Sequence, residues 1–521
     1  MFFIKRLTAV LLAFTILPIF GGCRKEEDDY ITSGELVVVH DDTDITLGIY
    51  GIDTLNPIAT ASKSVQKIMN IIYEPLFTVD ERETAVPVLA QSYTMSEDGM
   101  QMTVNLREDK KWHDGTNFTA DDVVYTLSKL MSTDSFYNKA VKKIKSFTAV
   151  NKHQVIINFV QSETDFSNCL NFPIISQKTH YTTDNTFVPM GTGAYKYDSG
   201  NSTEIVLKPI DENVSKRIKV KILRDKTAAA EAFNVNELDA VTSDEIDLET
   251  TAPKNYSQTK TIVSDNMVFM GMNTENPVLN SSGIRRAVNA LVNKQKIVDN
   301  CAYGNGMVTD MSIKPNAWAY QASENEISQS DIETLFEQEG YVPKNGVYYK
   351  NSAPLSMSIL VNNNNQKRMG VAESLRADLQ SYGISASVQA VDYETYIARI
   401  NEGNYELFVG ETAVDQNLNP SVMLDGDSNY FRFDATELKN AKNKLYGVTD
   451  KERYKQGVNA FLKVFNASPP YVPLYFKTES VIYGSYVSGI DAPVLFDSYK
   501  NIENWYFYDK NGKENKEQGN E

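Results

Sequence analysis

The chain has 521 residues, with 51 Lys and Arg against 68 Asp and Glu, for a formal charge of −17. That balance excludes a nucleic-acid binder, which needs a basic footprint. The length exceeds what one hydrophobic core holds, so two or three lobes are expected. With only three cysteines there is no disulfide framework, and no apolar run after the N-terminus is long enough to span a bilayer.

Residues 1–22 have the pattern of a lipoprotein signal peptide. Lys5 and Arg6 form a basic start, Leu7 to Phe20 is apolar, and Gly21-Gly22 precede Cys23. Cleavage before Cys23 and lipidation of its sulfur would anchor the mature chain to the bacterial membrane and bring its charge to −19. The plainer alternative is a short transmembrane anchor with an incidental cysteine. Residues 23–33 then form the lipidated cysteine and a solvated tether, with Arg24 to Asp29 all charged.

Glu35 to His40 is a continuously apolar strand of the kind buried in a parallel or mixed sheet. Thr54 and Asn56 follow in its exit loop, where ligands of open α/β sheets bind, although turn chemistry explains them equally well. Val65 to Ile72 is predicted helical. Met100, Met102, Val104 and Leu106 alternate with polar residues as in a half-buried strand. The Asp114-Gly115 turn comes next, and Thr119-Ala120-Asp121-Asp122 is the capping box of a helix carrying Val123, Val124 and Leu127.

Val155 to Phe159, Ile205 to Leu207 and Ile218 to Leu223 are further strands, and Gly191-Thr192-Gly193 is a structural turn. Lys226 to Phe233 is a helix, with Asn236 suited to left-handed geometry at its end. Met267 to Met272 is a strand. Ser281 or Ser282 caps a helix with Arg285 and Arg286 on its outside, and Asn293 caps the next. From Leu355 the pattern becomes β-α-β-α-β: Leu355–Val361, Gln366–Tyr382, Ile384–Val391, a helix capped by Asp392, and Tyr405–Val409. This order implies a parallel sheet with covering helices. Residues 511–521 form a polar tail expected to be disordered.

No catalytic constellation is present. The four histidines are scattered, and HExxH, CxxC and GxSxG are absent. Neither a metal site nor a cofactor is expected. Cys169 and Cys301 are expected to be buried single thiols. Asp425 to Asn429 lacks the frame of a calcium loop and is taken as a turn. The loop Gly410 to Pro420 leaves a strand end where a cleft between lobes would lie, which makes Glu411, Asp415 and Asn417 candidate ligand contacts. Trp318, in a loop after Lys314-Pro315, is a further candidate for lining that cleft.

Several of these stretches together resemble one family. Leu106-Arg107, Trp112-His113-Asp114-Gly115 and Thr119 to Val123 match the solute-binding proteins of peptide- and nickel-type ABC importers (family 5). Thr54 to Pro57, Tyr73 to Phe77, Pro87 to Tyr93, Gly191 to Tyr195 and the Arg285 to Val298 segment occur in the family's order. The resemblance runs from about residue 35 to 487. Ala194 stands for the usual Pro, Asn293 for Asp, and Glu411 for the Trp of peptide binders.

The resemblance implies a bilobal α/β periplasmic-binding-protein-like type II fold with an extra inserted domain. Domain I would comprise 34–54, 176–267 and 478–510; domain II, the insertion, 55–175; domain III, the second lobe, 268–477. It also implies an extracytoplasmic monomer that captures an oligopeptide and delivers it to a permease and an ATPase, with Asp415 pairing with the ligand's α-ammonium group. The alternatives are a binder of a nickel chelate, haem or oligosaccharide, and a surface receptor or enzyme on the same scaffold.

Overall fold

The structure, a computed structural model, describes residues 38–40, 44–243, 257–322, 328–421, 423–424 and 429–508. The leader, Cys23 and the polar tail lie outside the described residues, as do 425–428 of the Asp-Gly turn. No helix among the described residues is long and apolar enough to cross a membrane.

Two long strands, Ser257–Met272 and Tyr471–Gly484, pair antiparallel and form the spine of the molecule. Within an eleven-stranded sheet they have Leu407–Ala413, Ser356–Asn362 and Ser385–Val391 on one side. On the other side lie Ala240–Thr242, Ile45–Tyr50, Ile218–Leu223, Glu204–Pro209 and Tyr195–Gly200. Apolar side chains feed a core on each side of the spine. Ile262, Val481 and Tyr483 join the core of the first lobe. Val268, Met270 and Leu474 join a core of the second, and Met267, Phe269 and Phe476 join another core of the same lobe. Between the two stretches the pairing slips, and Ser264, Asp265 and Asn266 interrupt the register between Val263 and Met267. Such a break bends the strand and redirects side chains.

The expected β-α-β-α-β segment forms as Ser356–Asn362, Gln366–Ser381, Ser385–Val391, Tyr393–Glu402 and Leu407–Ala413, with parallel pairing on both sides of Ser356–Asn362. In the first lobe a four-stranded antiparallel sheet contains Gln101–Leu106, flanked by Ala90–Met95 and Gln154–Phe159. The helix Ala120–Ser132 starts at the expected box, where Asp122 accepts the Thr119 backbone N–H at 2.9 Å and the Trp112 indole N–H at 3.2 Å.

His113 is structural. Its Nδ1 accepts from Gly191 N at 3.2 Å, while Nε2 lies 3.0 Å from the Gly193 carbonyl. Burial holds its pKa below the usual imidazole value. Gly191 serves close approach here, since a Cβ would sit 1.9 Å from the Ile72 carbonyl oxygen.

Two expectations need correction. Residues 38–40 pair antiparallel with Tyr506–Tyr508 in a small three-stranded sheet, and the strand of the large sheet is Ile45–Tyr50, parallel to Ile218–Leu223. Its alternation is masked in sequence by Gly48, which makes room for Leu238. Arg285 is 3% exposed rather than on the outside of its helix. It donates to the carbonyls of Leu279, Asn280 and Pro469 and to Ser468 Oγ, so its polar head makes four hydrogen bonds inside the second lobe. Ser281, not Ser282, caps that helix; Asn293 and Asp392 cap theirs as expected. Asn236 has φ +59°, and Cys169 and Cys301 are buried free thiols.

Candidate functional site

The seam between the lobes encloses a cavity of about 380 Å³. The helix Lys63–Ile72 lines it with Lys63, Gln66, Lys67 and Asn70. The segment leading into and past the short helix Asn138–Val141 adds Phe136, Lys139 and Lys143, and Leu495 and Phe496 line it as well. From the second lobe comes the loop Ala413 to Gln416, and from the spine strand the register break at Ser264 to Asn266.

The register break positions that loop. The Asp265 carbonyl accepts from Val414 N at 2.8 Å, and its carboxylate takes the Gln416 amide at 2.8 Å. Gln416 in turn accepts from Asn171 of the first lobe at 2.7 Å. Further bonds fasten the seam: Trp318 N to the Arg82 carbonyl at 2.8 Å, Asn316 to the Glu81 carbonyl at 2.9 Å, and Thr164 to the Asn417 carbonyl at 2.9 Å.

Charges meet here in pairs. Asp415 lies 2.7 Å from Lys139 and 2.8 Å from Lys143, and Lys143 also reaches Glu163 at 3.1 Å. Burial opposes ionisation of Asp415, but Lys143 and Lys139 more than offset it, so its pKa falls below the usual carboxylate value. Lys143 is affected in the reverse sense: burial disfavours its charge, and Asp415 and Glu163 hold its pKa above normal. Glu163 has a single ammonium partner and a side chain only 3% exposed, so burial wins and its pKa rises. On the same cavity, Glu479 faces Lys63 at 3.4 Å and Lys67 at 3.9 Å. A second cluster lies deeper in the seam, where Lys314 bridges Glu83 at 2.7 Å and Asp265 at 2.9 Å.

Of the residues expected from sequence, only Asp415 lines this cavity. Asn417 is turned inward, donating to Glu163 at 2.9 Å, and shares with Trp318 a smaller cavity of about 120 Å³ on the same seam. Trp318 packs on Tyr454 with ring centroids 5.6 Å apart. Glu411 pairs with Lys477 at 2.6 Å and Arg368 at 3.2 Å on the strand before the loop. Thr54 and Asn56 are buried and tie their turn to the carbonyls of Asp184 and Thr182, at 2.6 and 2.8 Å. The lysines were missed. The basic run Lys139, Lys142, Lys143, Lys145 is visible in sequence, but nothing local places it opposite residue 415.

A cavity walled by both halves of a bilobal α/β protein, with a sheet spine through the seam, defines a binding protein of the type II periplasmic class. A sequence model of the bacterial extracellular solute-binding proteins, family 5 (middle), matches residues 84–430, and the chain belongs to that family. It is therefore a solute-binding protein of the peptide- and nickel-type ABC importers, and a binding protein rather than an enzyme.

The oligopeptide-binding protein AppA of Bacillus subtilis (strain 168) is 22% identical over 498 residues, covering 89% of this chain and 91% of its own length. The nickel-binding periplasmic protein of Escherichia coli (strain K12) is 25% identical over 370 residues, covering 66% and 70%. The periplasmic murein tripeptide-binding protein MppA, in its unliganded open form, superposes with a TM-score of 0.76 at 17% identity, covering 91% of this chain and 99% of its own.

Proposed function

We propose that this protein captures short oligopeptides in the seam cavity and hands them to a membrane permease driven by an ATPase, tethered outside the membrane through Cys23. The observation that carries this is the cavity itself, whose walls combine paired charges with apolar side chains. A peptide offers the same combination of charged termini and apolar side chains, and a cavity of about 380 Å³ holds part of a short one. Oligopeptide binding by AppA, a relative along nearly its whole length, favours the same substrate.

Within the expected set, Asp415 is the residue acting at the ligand. Asn417 and Trp318 line the smaller cavity of the same seam, Glu411 is paired on the strand before the loop, and Thr54 and Asn56 hold their own turn. The division into 34–54, 176–267 and 478–510, an inserted 55–175 and a second lobe of 268–477 is supported by the register break at 264–266, a natural place for a hinge.

The test is thermal stabilisation of the purified protein by a library of short peptides, compared with a nickel–histidine chelate and haem. A ligand that binds only the folded state raises the melting temperature in proportion to its occupancy. Peptides are expected to stabilise; stabilisation by nickel chelate or haem alone would move the substrate to that class.

A further inference from the structure

The second lobe carries another hollow, of about 760 Å³, away from the seam. Ala413 lines the seam cavity and Glu406 lines this one, at opposite ends of the strand Leu407–Ala413 and roughly 20 Å apart along its rise. Its floor is a stretch of sheet. Ser356 pairs with Ser385 and Ser358 with Ser387 in the parallel ladder, so four serines stand side by side on one face. Farther along that face, Leu360 shares a core with Tyr396 and Ile400 of the helix Tyr393–Glu402; the serine half lines the hollow instead. Ser356, Ser385 and Ser387 are exposed, and their hydroxyls have no hydrogen-bond partner among the described residues. Ser385–Val391 is also the last strand of the large sheet and has no charged residue, although edge strands are ordinarily blunted by charge.

The walls are polar and already fixed. Arg399 donates to the Asn404 carbonyl at 2.9 Å and to Gln389 at 2.7 Å, which leaves its Nη1 without a partner among the described residues. Glu406 accepts from Ser358 N at 2.6 Å and Ser358 Oγ at 2.8 Å, and faces the Asn276 amide at 3.4 Å. Neither Arg399 nor Glu406 forms an ion pair among the described residues.

We propose that this hollow is a second binding site, for a neutral saccharide. Its charges rule against the other classes of ligand. An anion would face Glu406 and Glu275, which also lines the hollow, and a metal cation would face Arg399. No group of three His, Cys, Asp or Glu among the described residues is placed to hold a metal. An apolar ligand would strip water from serines and amides and bury little apolar surface in return. A saccharide is uncharged, and each of its hydroxyls both donates and accepts. It can therefore satisfy the unpaired serines, Arg399 Nη1 and the carboxylate of Glu406 together. The volume falls within the roughly 300–1,000 Å³ of small-ligand sites. The site is independent of what the seam cavity takes.

The experiment titrates the full chain calorimetrically with maltose, cellobiose and chitobiose, and with inorganic phosphate and glucuronate as charged controls. At least one of the neutral disaccharides is expected to bind with a Kd of about 1 mM or tighter. Ser387→Leu, at an exposed position on the floor, should weaken it about tenfold or more without moving the melting temperature. Arg399→Met should weaken it in the same direction, and Lys139→Met, on the seam cavity, should leave it within about threefold. Disaccharide binding that survives Ser387→Leu but is lost in Lys139→Met would move the sugar to the seam and overturn the second site. Binding of phosphate or glucuronate alone would overturn the neutral class. Failure of all three disaccharides to bind would overturn the proposal while leaving peptide capture in the seam untouched.

Discussion

Two ion clusters occupy the same seam, are built from the same side-chain types and differ mainly in their access to solvent. In the inner one Lys314 is 3% exposed, between Glu83 at 8% and Asp265 at 14%. In the outer one Asp415 is equally buried but one of its two lysines stands half in the open. An enclosed cluster can exchange its partners only by breaking the seam, so it fastens lobe to lobe. A cluster with an open ammonium can add a partner without losing one, so it can read a ligand. Burial cost explains the difference: a charge removed from water must be paired inside the protein, whereas a half-exposed lysine keeps a choice.

The largest effect expected from this contrast follows loss of Lys314. Lys314→Met leaves two carboxylates facing each other in the seam without a cation and should lower stability by about 3–5 kcal/mol, measured by chemical denaturation. A loss under about 1 kcal/mol would mean that the inner cluster is as replaceable as a surface pair.

Asp415→Asn should cost less, about 1–3 kcal/mol at neutral pH, because Lys143 keeps Glu163 and Lys139 is already part-solvated. It should also change the response to acid. The folded pKa of Asp415 lies below its ordinary 3.8, so its contribution is complete above that value and is lost as pH falls through the lower folded value. Glu163 has the opposite sign: its folded pKa lies above 4.5, so its contribution is full below 4.5 and fades as pH rises through the folded value. In stability–pH profiles Asp415→Asn should flatten the acid limb and Glu163→Gln the decline on the neutral side. Identical changes in the two variants would contradict the assignment of opposite shifts.

The smallest effect belongs to Lys63→Met. An exposed ion pair contributes about 0–1 kcal/mol, so the melting temperature should barely move. Any substantial change should appear in ligand affinity, read by calorimetry.

Local chemistry was legible in the sequence wherever one segment decides its own structure. The capping box at Thr119, the caps at Ser281, Asn293 and Asp392, and the left-handed Asn236 all depend on neighbours within a few residues. The β-α-β-α-β segment was legible because its periodicity is uninterrupted. Two errors came from contacts made far along the chain. Residues 38–40 find their partner at 506–508, and Arg285 finds acceptors at Ser468 and Pro469. The site shows the same limit. Asp415 was legible through family resemblance, but its lysines lie more than 270 positions upstream and no spacing announces them. Thr54 and Asn56 turned out to serve the turn chemistry that was their plainer explanation.

The most direct single measurement is mass spectrometry of the small molecules released from the purified protein on denaturation. A set of peptides of narrow length is the expected result. A homogeneous non-peptide ligand, such as a metal chelate or haem, would contradict peptide capture while leaving the family and fold intact.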